Sequence, residues 1–202
     1  MIKGIIFDAG GILVSDNIRE YAYKTASEYY NVDIKRIKEL ALKHEPYHDT
    51  PQFNEEEYWN RIARDLGINK NPRPIWTEKY IETTPLDKDV FDFIKKLKTK
   101  GYILAILSNT IPQHLSINKE RGLYDLFEIT VFSCDPRINS KKPELKIYQK
   151  CLEKIGLPPY QCIFIDDKVE NLFPAKSLGI HTIHYQGVSQ LKRDLKNFRV
   201  YV

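Results

Sequence analysis

Short apolar runs at residues 1–7, 102–107, 128–132, 162–165 and 181–185 have the length of strands buried on both faces. Between them, apolar positions recur at helical spacing. Val90, Ile94 and Leu97 mark a helix over 88–100 that Gly101 stops. Further helices are predicted over 114–121, over 144–155 ahead of Gly156, and over 169–178 ahead of Gly179. Strands alternating with helices across short connections predict a doubly wound parallel α/β sheet. Its strand C-termini then share one edge, where ligands of such sheets bind.

Residues 15–83 do not follow this alternation. Helical stretches are predicted at 18–30, 33–44, 55–66 and 75–81, with turn signals at Pro46, Pro51, Gly67, Pro72 and Pro74. Helices with no strands between them predict an all-helical, four-helix-bundle-like insert (15–83) above the strand ends of a core formed by 1–14 and 84–202. Residues 15–17 and 83–86 are its linkers. The aromatics Tyr21, Tyr29, Tyr30, Tyr47, Tyr58, Trp59 and Trp76 fall mostly at helical spacing and read as bundle packing. Arg19, Lys24, Arg61 and Arg64 read as solvated helix charges, and His44, His48 and His114 have no metal-ligand spacing.

Composition narrows the function classes. The net charge of +4 is spread among interleaved acids and bases, without the concentrated stripe or reading module that nucleic-acid binding needs. No apolar run approaches the roughly 18 residues of a membrane span, and Asp8 interrupts the first apolar stretch where a signal peptide would continue. Cys134, Cys151 and Cys162 are widely spaced, so reduced thiols and a cytoplasmic location are expected. The mild positive balance would weakly attract a small phosphorylated metabolite, the expected partner of a monomer or homodimer.

Candidate chemistry sits at four strand ends. Asp8 follows Ile5-Ile6-Phe7 and precedes Gly10-Gly11, where a carboxylate faces backbone N–H groups able to support a phosphoryl group; a plain turn aspartate has the same pattern. Ser108-Asn109 ends the second strand and suits either phosphoryl oxygens or a helix cap. Lys142-Pro143 precedes the helix carrying Ile147, where a solvated lysine is the plain alternative. Asp166-Asp167 ends the strand Cys162-Ile163-Phe164-Ile165; adjacent carboxylates there need a cation or hydrogen bonds. Oxygen-only ligation suits Mg²⁺, and Asn171 is placed to orient the pair.

Taken in order, IIFDAGGIL, ILSNT, KKPELKIYQKCLEKIG and CIFIDDKVENLFPAKSLGI resemble the haloacid dehalogenase (HAD) superfamily, with the helical insert where its C1-type (subfamily IA) cap sits. The resemblance implies a HAD-like Rossmannoid core and a hydrolase, a phosphatase forming an aspartyl-phosphate on Asp8. It implies Mg²⁺ held by Asp8, the Gly10 carbonyl and Asp167, with Asp166 on metal-bound water. Gly10, Gly11, Ser108, Asn109 and Lys142 are then the phosphate-binding residues, with Asp8 and Lys142 catalytic and Asn171 supporting the metal-site pair.

Two features depart from the family pattern. Most phosphatases of the superfamily carry a second Asp, the general acid/base, where this chain has Gly10; a branch resembling glucose-1-phosphate phosphatase also reads Asp-x-Gly, making a sugar phosphate a candidate substrate. Asp16 or a cap residue is the expected proton source. The loop 133–139 is about two residues longer than usual, which leaves Lys141 as an alternative to Lys142. A 2-haloacid dehalogenase also lacks the second Asp, but its usual aromatic and Thr, at the positions of Gly10 and Ile12, are absent. A non-catalytic phospholigand- or partner-binding relative is the third reading.

Overall fold

The computed structural model describes residues 1–15, 17–45 and 48–201. Asp16, Pro46 and Tyr47, each singled out above, lie outside the described residues. Five parallel strands form one sheet in the order β3-β2-β1-β4-β5: β1 (Gly4–Phe7), β2 (Ile103–Ser108), β3 (Ile129–Phe132), β4 (Cys162–Asp166) and β5 (His181–His184).

Alternation along each strand assigns its side chains to two layers. Ile5, Phe7, Leu104, Ile106, Ile163 and Ile165 enter the core beneath α5 (Lys88–Thr99) and α9 (Val188–Asn197). Ile6, Ala105, Leu107, Cys162 and Phe164 enter the opposite core, beneath α7 (Leu145–Ile155) and α8 (Val169–Ser177). The sheet is thus doubly wound, as its apolar runs predict. Helix α9 escaped the sequence reading, because only Leu191 and Leu195 mark its buried face. The other core element, α6 (Pro112–Glu120), begins with Pro112 at its first turn.

The insert runs from α1 (Ile18–Tyr30) through α2 (Ile34–His44) and α3 (Glu55–Asp65) to α4 (Tyr80–Thr83). The expected fourth helix over 75–81 is therefore a single turn displaced toward the C-terminus. The physical reason is Glu55, whose buried carboxylate accepts the N–H groups of Trp76 and Thr77 and the Thr77 hydroxyl. Those groups pull 75–77 into a turn against α3, and Lys79 then adopts a left-handed conformation. Tyr23, Tyr58, Trp59 and Trp76 pack the insert's own apolar cluster, with Trp59 and Trp76 stacked at 5.9 Å. Ile111 and Ile117, from α6 and its entry, join that cluster, so the insert rests on α6.

The core segments that flank the insert run side by side: Val14 bridges Leu86, and Asp87 N–H donates to Leu13 O at 2.9 Å. None of the described helices is long and apolar enough to cross a membrane.

Replacing Glu55 with Ala orphans buried N–H groups, each worth about 1–3 kcal/mol. We expect a lower urea midpoint followed by Trp fluorescence, both tryptophans being in the insert; an unchanged midpoint contradicts the clamp.

Candidate functional site

Register places the site. Phe7 pairs with Ile165 of β4 and with Ile106 of β2, so the next residues, Asp8 and Asp166, emerge side by side at the strand C-termini. Both are buried, at 6% and 0% exposure. Between them lies Lys142, 4% exposed, with its Nζ 2.9 Å from Asp8 Oδ1 and 2.7 Å from Asp166 Oδ2.

Lys142 is held by its backbone. The Asn109 side chain accepts Lys142 N–H at 2.8 Å and donates to Lys142 O at 2.9 Å. Asn109, expected to bind phosphate, thus uses its amide as a clamp on the lysine. Lys141 points the other way and donates to the insert carbonyls of Glu45 (3.3 Å) and His48 (3.1 Å). The longer loop ahead of Lys141 therefore leaves Lys142, not Lys141, beside the aspartates. Buried Ser108 adjoins this clamp at the end of β2.

Asp8 Oδ1 also accepts Ala9 N–H at 2.7 Å. Asp166 accepts Lys168 N–H at 2.8 Å and the Asn171 amide at 3.0 and 3.1 Å, in addition to Lys142. Asn171 thus orients Asp166, as its place four residues past Asp167 suggests. Asp8, Asp166 and Asp167 each bring an oxygen within 4.8 Å of the others. The three carboxylates outnumber the Lys142 ammonium, and this donor set fits a divalent cation of oxygen preference.

Gly11, expected among the phosphate-binding residues, instead donates its N–H to Val14 O at 2.8 Å. Its φ is +72°, and a Cβ there would lie 2.3 Å from Asp167 Oδ2, so glycine leaves room for the third carboxylate.

The electrostatics follow from burial. Desolvation pushes Asp8 up to about 6; Asp166 adds to the rise and Lys142 opposes it. Burial also works against the Lys142 charge, but Asp8 and Asp166 outweigh it and its pKa stands above the ordinary value.

A cleft of about 750 Å³ opens between the strand ends and the insert. Its core side includes Asp8, Gly10, Ser108, Asn109, Thr110, Lys142 and Asn171; its insert side includes Arg19, Glu45, His48, Asp49, Trp76 and Tyr80. Arg61 and Arg64 instead pair with Glu57 on the surface. Thr110 escaped the sequence reading, though it follows Ser108-Asn109 directly. His114, which has no metal-ligand spacing in the sequence, is a buried part of the wall: its Nε2 donates to Trp76 O at 2.7 Å, and its ring stacks on Tyr80 at 3.8 Å. Burial pushes His114 down to about 4, so the ring is neutral near pH 7.

Two stability predictions arise here. Replacing Lys142 with Met leaves Asp8 and Asp166 uncompensated and should cost about 3–5 kcal/mol in metal-free urea unfolding; a change under about 1 kcal/mol contradicts the ion trio. Between pH 6.5 and 4 the unfolded chain protonates a histidine that the fold keeps neutral at position 114. Acidification through that window should therefore remove up to about 1.4 kcal/mol per pH unit. The stability gap between the wild type and His114→Gln should narrow from pH 7 to pH 4.5; a constant gap rules this out.

Comparison with known proteins agrees with this geometry. The family model for haloacid dehalogenase-like hydrolases matches residues 2–179. The enolase-phosphatase E1 of Aquifex aeolicus is 26% identical over 201 residues, covering 91% of this chain and 89% of that protein. Acyl-CoA dehydrogenase family member 10 of Mus musculus is 40% identical over 92 residues, which are 45% of this chain and only 8% of that much longer protein. Among solved structures, a HAD-family enzyme of Bacteroides thetaiotaomicron in complex with magnesium and inorganic phosphate superposes with a TM-score of 0.75 at 23% identity, covering 95% of this chain and 99% of that one. With the family matched over 2–179, and Asp8, Lys142, Asp166 and Asp167 gathered at one cleft, the chain belongs to the haloacid dehalogenase-like hydrolases.

Proposed function

We propose that the protein is a Mg²⁺-dependent phosphatase that hydrolyses a small phosphomonoester, a sugar phosphate being the leading candidate, through an aspartyl-phosphate on Asp8. The supporting observation is the buried trio of Asp8, Lys142 and Asp166 beside Asp167 at the floor of the cleft. The insert, joined between β1 and α5, corresponds in this reading to a C1-type cap. Three buried thiols fit a reducing, cytoplasmic setting.

Asp8 and Asp167, with the Gly10 carbonyl, would hold the metal, and Asp166 would support that set. Mg²⁺, when bound, offsets the repulsion between the aspartates and the phosphate dianion. The chain's own residues do the rest. Ala9 N–H and Lys142 fix the Asp8 carboxylate for attack on phosphorus, and the ester oxygen leaves as the aspartyl-phosphate forms. Lys142 stands beside the reacting carboxylate, where its charge attracts the equatorial oxygens. Ser108 offers a neutral hydroxyl at the same strand-end edge. Water then hydrolyses the acyl phosphate, with the insert limiting bulk solvent. Gly10 supplies no side chain for proton transfer to the leaving group, a loss that costs about 10²–10⁴-fold where nothing replaces it.

A panel of phosphorylated metabolites and 2-haloacids, assayed with Mg²⁺ and with EDTA, tests the proposal. Metal-dependent phosphate release should fall at least about 10³-fold in Asp8→Asn. Chloride release without phosphate release would instead establish a dehalogenase, and silence in both assays a binding protein.

A further inference from the structure

One wall of the cleft consists of uncharged hydrogen-bonding groups. His114 and Asn118, four residues apart on α6, line it with Tyr80, Thr84 and Tyr124. Asn118 is 3% exposed. Its Nδ2 donates to the Tyr80 hydroxyl at 3.1 Å and the Tyr124 hydroxyl at 3.2 Å, while its buried carbonyl oxygen has no hydrogen-bond partner among the described residues. An orphaned acceptor in a cleft wall is costly until a donor arrives. His114 Nε2 holds its proton against Trp76 O, so Nδ1 carries a lone pair. Burial raises the Tyr124 phenol well above its ordinary range, so it too is uncharged.

Arg19, His48 and Lys141, charged or chargeable groups of the same cleft, already have partners. Arg19 lies 3.0 Å from Glu45 and 3.6 Å from Asp49, and His48 Nδ1 is 2.8 Å from Asp49. Lys141 is bound to two insert carbonyls. Lys168 and Glu170 carry opposite charges at the start of α8. The cation next to this wall, Arg121, is turned onto Thr84, donating to its carbonyl at 2.8 Å and its hydroxyl at 3.4 Å, so a second phosphate would give up its hydration against neutral groups with the guanidinium already bonded elsewhere. Several hydroxyls would instead exchange water for amide, imidazole and phenol partners.

We propose that this wall is the leaving-group subsite, that it selects uncharged polyhydroxylated alcohols over a second phosphate, and that Asn118 and His114 are its specificity-determining residues. The matching substrate is a hexose or polyol monophosphate. This rests on the phosphatase reading above, and assigns its substrate class to particular residues.

The test uses the full chain with Mg²⁺ and three substrates: a hexose monophosphate, pyrophosphate and p-nitrophenyl phosphate, whose leaving group has no alcohol hydroxyls. The kcat/KM for the hexose ester should exceed that for pyrophosphate at least about 10-fold. In Asn118→Leu and in His114→Gln, the ratio of kcat/KM for the hexose ester to that for p-nitrophenyl phosphate should fall about 10-fold, the worth of one lost hydrogen bond. Equal or better turnover of pyrophosphate, or an unchanged ratio in both variants, overturns the proposal.

Calorimetry on Asp8→Asn keeps the subsite testable even if none of the three substrates is turned over, the outcome that defeats the phosphatase reading. Hexose monophosphate should bind at least about 10-fold more tightly than inorganic phosphate, and Asn118→Leu should erase the difference. Equal binding of the two overturns the subsite.

Discussion

Lys142 lies between Asp8 and Asp166, within 2.9 Å of one carboxylate and 2.7 Å of the other, all three side chains at least nine-tenths buried. Burying three charges is expensive, and their mutual attraction repays the lost hydration only with good geometry and further hydrogen bonds. Each member has those bonds: Ala9 N–H on Asp8, Asn171 and Lys168 N–H on Asp166, and the Asn109 clamp on the Lys142 backbone. Apolar residues of similar volume would often hold such a place as well or better. The trio is therefore a feature of the chemistry more than of the fold's stability.

Much of the surrounding structure follows from this constraint. The β1–β4 register brings Asp8 level with Asp166, and a slip of one residue would separate them and turn the slipped strand's side chains to the wrong face. Asp167 adds a third carboxylate, and its closeness to Gly11 excludes any side chain at that turn. With one ammonium to three carboxylates, burial lifts Asp8 well above its usual range, a condition that a divalent cation would relieve.

The adjacent lysines divide the cleft between core and insert. Lys142 faces the aspartates while Lys141 reaches the carbonyls of Glu45 and His48, so one short segment touches both sides. A second connection runs through His114, whose imidazole binds Trp76 O, while Glu55 binds the N–H of the same tryptophan. The insert is thus fastened along its 75–80 segment, and α6 supplies both apolar support and part of the polar wall of the cleft.

The alternation of apolar runs, helical repeats and glycine stops was sufficient by itself to determine the sheet, its parallel order of strands and helices, and the edge where Asp8, Ser108, Lys142 and Asp166 gather. These features were legible because strand and helix periodicities are local, and a strand-end residue is placed by its own strand. Helix α9 was not, since two leucines make a weak period, and the turn at 75–79 was not, since a distant glutamate decides it. Tertiary structure alone decided that Lys142 rather than Lys141 meets the aspartates, that the Asn109 amide serves the lysine, and that His114 and Asn118 form a cleft wall. Those roles depend on what a side chain meets across the fold, and residues distant in the chain set that meeting.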